Sequence, residues 1–203
     1  MDMFLRYIEP LDSSTGLDVI GGKGRSLAAM LRAGLPVPAG FHVTTSAYQR
    51  FVKYNDIASA ILELATPVIV GARVSFETPS TRVTELFERG EIPPDIVDEI
   101  VNAYAALDRD KVAVRSSANA EDLPNLSFAG QQETYLNVHG HDDLLAAVKN
   151  CWASLWTAQA LSYRHEMGVD QGAVAMAVII QAMVPADVSG ILFTANPATG
   201  QRD

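Results

Sequence analysis

The run from Ala173 to Met183 is nearly all apolar apart from Gln181. Such a run reads as a buried strand, so the rest of the chain has to supply the strands beside it and the layers that cover it. The lone amide constrains the fold as well. A carboxamide left unpaired there would be costly, so Gln181 needs a partner, either inside the fold or on a ligand.

Neighbouring strands are readable nearby. Val112-Ala113-Val114 follows the charged turn Asp108-Arg109-Asp110-Lys111 and reads as a short strand whose end presents Arg115-Ser116-Ser117. Glu133 to Val138 alternates as a strand, Phe41 to Thr44 reads as another, and Gly190-Ile191-Leu192-Phe193-Thr194 as a last one, reached through Pro185-Ala186-Asp187. Between Arg25 and Arg32 the apolar positions Leu27, Ala28, Met30 and Leu31 fit a helical stripe, with Gly34 placed to stop it in a left-handed conformation. Thr45 or Ser46 is expected to cap a helix through Tyr54, and His141 or Asp142 to open one long helix ending near Gly168. From about Ile57 to Leu107, helical patterns alternate with breakers such as Pro67, Gly71, Pro79 and Gly90, a pattern expected of a helical insertion. There Val97, Ile100, Val101, Tyr104 and Leu107 recur at helical steps, the mark of packing rather than chemistry.

With 203 residues, 48% of them hydrophobic, the chain has enough material for a real core. Asp and Glu number 24 against 15 Lys and Arg, and the resulting charge of -9 argues against a nucleic-acid partner. No run of eighteen apolar residues occurs and the start lacks a basic and apolar leader pattern, so no membrane partner is expected and a cytoplasmic location is. The single cysteine, Cys151, lies among Trp152, Ala153, Leu155 and Trp156 and reads as a small core residue rather than a nucleophile.

Two segments carry chemistry. Gly21-Gly22-Lys23-Gly24 places a cation among glycines at a helix start, where backbone N–H groups and the helix dipole favour a phosphate. It is not a P-loop, since Leu17 stands where that motif needs glycine and Gly24 where it needs Ser or Thr. Alone, an ordinary glycine-rich turn with a solvated lysine is an equal reading. Arg115 with Ser116 and Ser117 can grip phosphate oxygens, against the alternative of a structural ion pair. The small and polar residues that follow, with Gly130 among them, would suit a loop closing over a triphosphate.

In order along the chain, Gly21-Gly22-Lys23-Gly24, Gly34-Leu35-Pro36-Val37-Pro38-Ala39-Gly40-Phe41, Val114-Arg115-Ser116-Ser117-Ala118, Glu121-Asp122-Leu123-Pro124 and Ser127-Phe128-Ala129-Gly130-Gln131 resemble one family. So do Cys151-Trp152-Ala153-Ser154-Leu155-Trp156, Tyr163-Arg164 and Ser189-Gly190-Ile191-Leu192-Phe193-Thr194. The resemblance, over nearly the whole chain, is to the ATP-binding domain of phosphoenolpyruvate synthase, pyruvate phosphate dikinase and rifampicin phosphotransferase. It implies an α+β, ATP-grasp-like fold in which residues 1–203 are the N-terminal portion of an ATP-binding domain, with the insertion at about 57–107 and a mixed lobe at about 112–203. It implies ATP and Mg²⁺ as cofactors, with Lys23 and Arg115 on the phosphates and stabilising the transferring phosphoryl group. Gly130 and Thr134 would lie over the nucleotide, and Gln181 would face its adenine or ribose side.

In that family ATP phosphorylates a histidine on a separate domain, which passes the group to pyruvate or to a drug hydroxyl. The 4 histidines here, His42, His139, His141 and His165, do not match the family's phosphohistidine motif and read as surface, cap or packing residues. The partners expected are therefore phosphohistidine and acceptor domains outside this chain. The metal ligands are expected there too, with no metal role for Glu121 or Asp122, and the fragment alone is expected to be inactive. A phosphoenolpyruvate-synthase-like protein is expected first, with the same domain of a rifampicin phosphotransferase and a stand-alone ATP-binding regulatory module without catalysis as the alternatives.

Overall fold

The computed structural model describes residues 7–119, 133–190, 195–196 and 199–201. In chain order the elements are β1 (Ile8–Pro10), α1 (Leu17–Arg32), β2 (Gly40–Val43), α2 (Thr45–Tyr54), α3 (Ala58–Leu64), β3 (Val68–Val70), β4 (Arg73–Ser75), α4 (Glu77–Arg89), α5 (Pro94–Ala106), β5 (Val112–Ala118), β6 (Thr134–Val138), α6 (His141–Ser154), α7 (Ala158–Glu166) and β7 (Met176–Ala182).

The apolar run does sit at the centre. β7 lies between β2 and β5 in a five-stranded antiparallel sheet of order β1-β2-β7-β5-β6, while β3 and β4 form a separate hairpin. Every residue of β7 is buried, which is why it can be apolar on both faces. The architecture is α+β, an antiparallel sheet with helices packed on it.

The two faces differ in chemistry. Register places Phe41 and Val114 beside Ile180, and Val43 beside Val178, and these residues belong to the main hydrophobic cluster. Helices cover that face, and their aromatic rings interlock: Phe51 lies 5.5 Å from Phe87 and 5.1 Å from Trp152. Val83, Phe87, Ile96, Ile100 and Tyr104, all from the 57–107 stretch, join the same cluster. The opposite face carries Glu9, His42, Ile179, Arg115 and Thr134, one residue per strand, in a single cross-strand row. α1 covers part of it, burying Leu27 with Leu11 and Ile179 in a smaller cluster.

Four expectations change. The strand before Arg115 does not stop there: β5 runs through Arg115-Ser116-Ser117 to Ala118, because tertiary partners satisfy the polar residues. The glycines do not open the helix. Helix starts at Leu17 and is broken at Gly21, whose φ of 70° is non-helical, before resuming through Lys23 to Arg32. The long helix read from His141 to Gly168 divides into α6 and α7, where Thr157 caps the second by accepting from the Ala160 N–H at 3.3 Å. Neither Thr45 nor Ser46 caps α2. Thr44 holds the cap position but its side chain makes no capping bond, and Thr45 Oγ1 donates to the Asp18 carbonyl at 2.6 Å. Gly34 does end α1 with a φ of 76°, as expected. The strand read at Gly190–Thr194 lies, beyond Gly190, outside the described residues.

Candidate phosphate-binding face

Gly21 begins the site. Its positive φ suits glycine, and a Cβ there would run into the carbonyl and hydroxyl oxygens of Ser117, so only glycine lets the break in α1 press onto β5. Ser117 holds both sides of that break. Its hydroxyl donates to the Ile20 carbonyl at 2.9 Å and accepts from the Gly24 N–H at 3.1 Å. The residues flanking the break are thus fixed on one strand residue, and the resumed helix starts at a defined point above the sheet.

Lys23 leaves the first turn after the break and reaches β5, where Nζ donates to the Ser116 carbonyl at 3.1 Å. That carbonyl belongs to the residue next to Arg115. Alternation along the strand puts Arg115 and Ser117 on the α1 side of the sheet and Ser116 on the other, where Ser116 Oγ donates to the Glu133 carbonyl at 3.2 Å. The arginine and the two hydroxyls therefore do not form one grip. Both hydroxyls are engaged in holding the fold, so the groups of this cluster with the charge to meet an anion are the cations of Lys23 and Arg115.

Half-buried Arg115 stands in register with Thr134 on one side and Ile179 on the other. Its Nη1 lies 3.5 Å from Gln181 Oε1, a long contact, and Gln181 Nε2 donates to the Pro38 carbonyl at 3.2 Å. The amide in the apolar strand thus has partners inside the protein. Thr134 is exposed at the sheet edge. Lys23, Arg115, Thr134 and Gln181 consequently share one region, while Gly130 lies outside the described residues.

His42 lies in the same cross-strand row and is fully buried beneath α1. A Cβ on Gly24 would lie 3.1 Å from its Cε1, so this glycine lets the helix lie directly on the imidazole. Nε2 lies 3.2 Å from the Leu11 carbonyl and Nδ1 has no hydrogen-bond partner among the described residues. Burial holds the imidazole below its ordinary value, opposed by the Leu11 bond and by Glu9. His42 is thus a packing histidine, but one beneath the candidate site. Only its place in Phe41-His42-Val43 hinted at this.

His139, His141 and His165 are exposed. Cys151 is fully buried and its thiol is pushed up, first by burial, as befits a core residue. Among the described residues no three His, Cys, Asp or Glu side chains gather where they could hold a metal, and no helix is long and apolar enough to cross a membrane.

Lys23, in the first turn after the helix break, and Arg115, on β5 beside Thr134 and Gln181, can together attract and orient a phosphate. Arg115 offers a planar fork and Lys23 a point charge, while the helix dipole adds a partial positive charge of its own. A cavity of about 310 Å³ beside Tyr48, Trp156 and Gln171 contains none of these residues, and hollow shape alone would have pointed elsewhere.

The family described as pyruvate phosphate dikinase, AMP/ATP-binding domain, matches residues 17–203. Similar proteins include a phosphoenolpyruvate synthase of Aeropyrum pernix, 46% identical over 92% of this chain and 24% of its own length. A probable phosphoenolpyruvate synthase of Methanocaldococcus jannaschii is 40% identical over 98% of the chain and 17% of its own length. A rifampicin phosphotransferase of Streptomyces sviceus is 44% identical over 99% of the chain and 23% of its own length. The chain thus spans about a quarter or less of the length of these relatives.

Proposed function

The chain belongs to the pyruvate phosphate dikinase AMP/ATP-binding domain family, and on that premise we propose that it is the ATP-binding part of a phosphotransferase. The whole protein passes a phosphoryl group from ATP, through a phosphohistidine on another domain, to an acceptor such as pyruvate. The observation that carries this reading is the placing of the Lys23 ammonium on the Ser116 carbonyl, beside Arg115.

ATP supplies the phosphoryl group and the negative charge that the site has to hold. Arg115 binds phosphate oxygens through two parallel N–H bonds, and Lys23 neutralises charge as it shifts during transfer. The resumed turn of α1 adds N–H groups and its dipole. Thr134, in register with Arg115, lies under the phosphates, and Gly130 is a further nucleotide-binding residue. Gln181 turns its spare hydrogen-bonding capacity to the adenine or ribose side while keeping its bond to Pro38. The arrangement is one half of an ATP-grasp cleft. Mg²⁺ would accompany ATP and offset phosphate charge, and the cytoplasm would supply both.

A second acceptor, a rifamycin hydroxyl, is favoured by the 44% identity to the rifampicin phosphotransferase, which nearly equals the 46% to the Aeropyrum phosphoenolpyruvate synthase. All the residues placed here serve ATP, so they suit either acceptor. The test is to incubate full-length protein with radiolabelled ATP, isolate acid-labile label on histidine, and chase it with pyruvate or a rifamycin. Discharge by pyruvate supports the first acceptor and discharge by the rifamycin the second. Absence of any labelled histidine refutes the phosphotransferase reading.

A further inference from the structure

Arg164, at the end of α7, is fully buried. Its Nε donates to Gln171 Oε1 at 2.7 Å and its guanidinium lies over the Trp156 ring at 5.2 Å. Both Nη atoms are buried without a hydrogen-bond partner among the described residues, and so is the indole N–H of Trp152. Trp156 gives its own N–H to the Tyr48 hydroxyl at 3.0 Å, and the Tyr48 ring meets Trp152 edge-on at 6.4 Å. Tyr48 therefore stands between Trp152, whose indole N–H is unmet, and Trp156, whose ring carries the Arg164 guanidinium. All the unmet groups are donors.

The charge is unmet as well. Among the described residues no carboxylate forms an ion pair with Arg164. Burial lowers its pKa to about 10, with Tyr48 opposing, which still leaves the guanidinium charged at neutral pH. A buried cation without a counter-charge is strongly unfavourable, and missing acceptors add to the cost. Water could supply acceptors, but not the charge.

An entry lies beside it. Trp156 and Gln171, which touch Arg164, also line with Tyr48 a cavity of about 310 Å³ whose charged residues are Lys53 and Asp56; Arg164 itself lies behind that lining. Gln171 belongs to a single turn of 3-10 helix and is itself partly exposed, so a change in its rotamer would open the wall.

We propose that the buried Arg164 is an anion site, separate from the phosphate-binding face, in which a small inorganic anion enters from this cavity past Gln171 and pairs with the Nη groups. Halide and phosphate share the needed chemistry, being small, anionic and rich in acceptor capacity.

The test is thermal unfolding of the purified protein against bromide and against inorganic phosphate, each at constant ionic strength made up with a bulky anion. Wild type should gain several degrees across about a hundredfold range of concentration, and Arg164→Met should lose that gain. Bromide alone giving the gain selects a halide site, and phosphate alone an oxyanion site. The Arg164→Met comparison separates this effect from phosphate bound at Lys23 and Arg115. If Arg164→Met does not fold, a bromide-soaked crystal of the wild-type protein decides, through an anomalous peak within hydrogen-bond distance of the Nη atoms. Equal gains in wild type and Arg164→Met, no gain in either, or water in place of bromide beside Arg164 would overturn the proposal.

Discussion

Lys23 on α1 donates its ammonium to the carbonyl oxygen of Ser116 on β5 at 3.1 Å, tying the first turn after the helix break to the strand that carries Arg115. Replacing Lys23 with alanine in the full-length protein should therefore lower histidine phosphorylation by about 10²-fold or more, the scale for losing one preorganised group at developing charge. The partly exposed side chain contributes little packing, so the melting temperature should barely move. Labelling with radioactive ATP, paired with calorimetry, checks both halves.

Gly21→Ala should act through the backbone. A left-handed conformation and a collision with Ser117 together predict a loss of stability of about 1–3 kcal/mol or more, measured by denaturant unfolding. Gly34→Ala meets no neighbour within 4 Å and should cost only the conformational penalty, so the difference between the two isolates the contact with β5.

Ser117→Ala removes one hydroxyl and leaves both the Gly24 N–H and the Ile20 carbonyl without it. A loss of about 1–3 kcal/mol is expected for polar groups stranded in a buried place. Amide hydrogen exchange should speed up at Gly24 more than along β7.

Much of the fold was legible because solvent exposure is written in composition. The run at 173–183 became the central strand, and the helical spacing of Ile100 and Tyr104 became the buried side of α5. What misled were polar residues whose partners lie far along the chain. Arg115-Ser116-Ser117 looks like a strand end, yet Ser117 bonds Ile20 and Gly24 from across the sheet. The break between α6 and α7 was hidden because Leu155 and Trp156 are apolar like their neighbours. It is fixed by the Trp156 bond to Tyr48, 108 residues away in sequence, and by the Thr157 cap. At the site, Lys23 and Arg115 stood out as cations beside glycines and a strand. The Pro38 partner of Gln181, 143 residues distant, could come only from the register of β2 against β7.

Buried His42 gives the protein a defined acid weakness. The unfolded chain takes up a proton as pH falls through the ordinary histidine value of about 6.5, whereas the folded imidazole resists until lower pH. This histidine's contribution is therefore intact above about 6.5 and declines below it, down to the depressed folded value. His42→Gln should flatten that part of the pH–stability curve. Denaturant midpoints measured every half unit from about pH 7.5 to 5 would show it, and an unchanged slope would exclude His42 as the source.

Lys23 and Arg115, if they together hold the phosphates of ATP, must separate ATP from adenosine in a calorimetric titration of the protein with each. Wild-type protein should prefer ATP, and Lys23→Ala and Arg115→Ala should each weaken ATP binding about tenfold or more, the effect of losing a charge-assisted bond, while adenosine affinity stays the same. ATP affinity unchanged in both variants, or lost in parallel with adenosine affinity, would mean that these two side chains do not hold the phosphates.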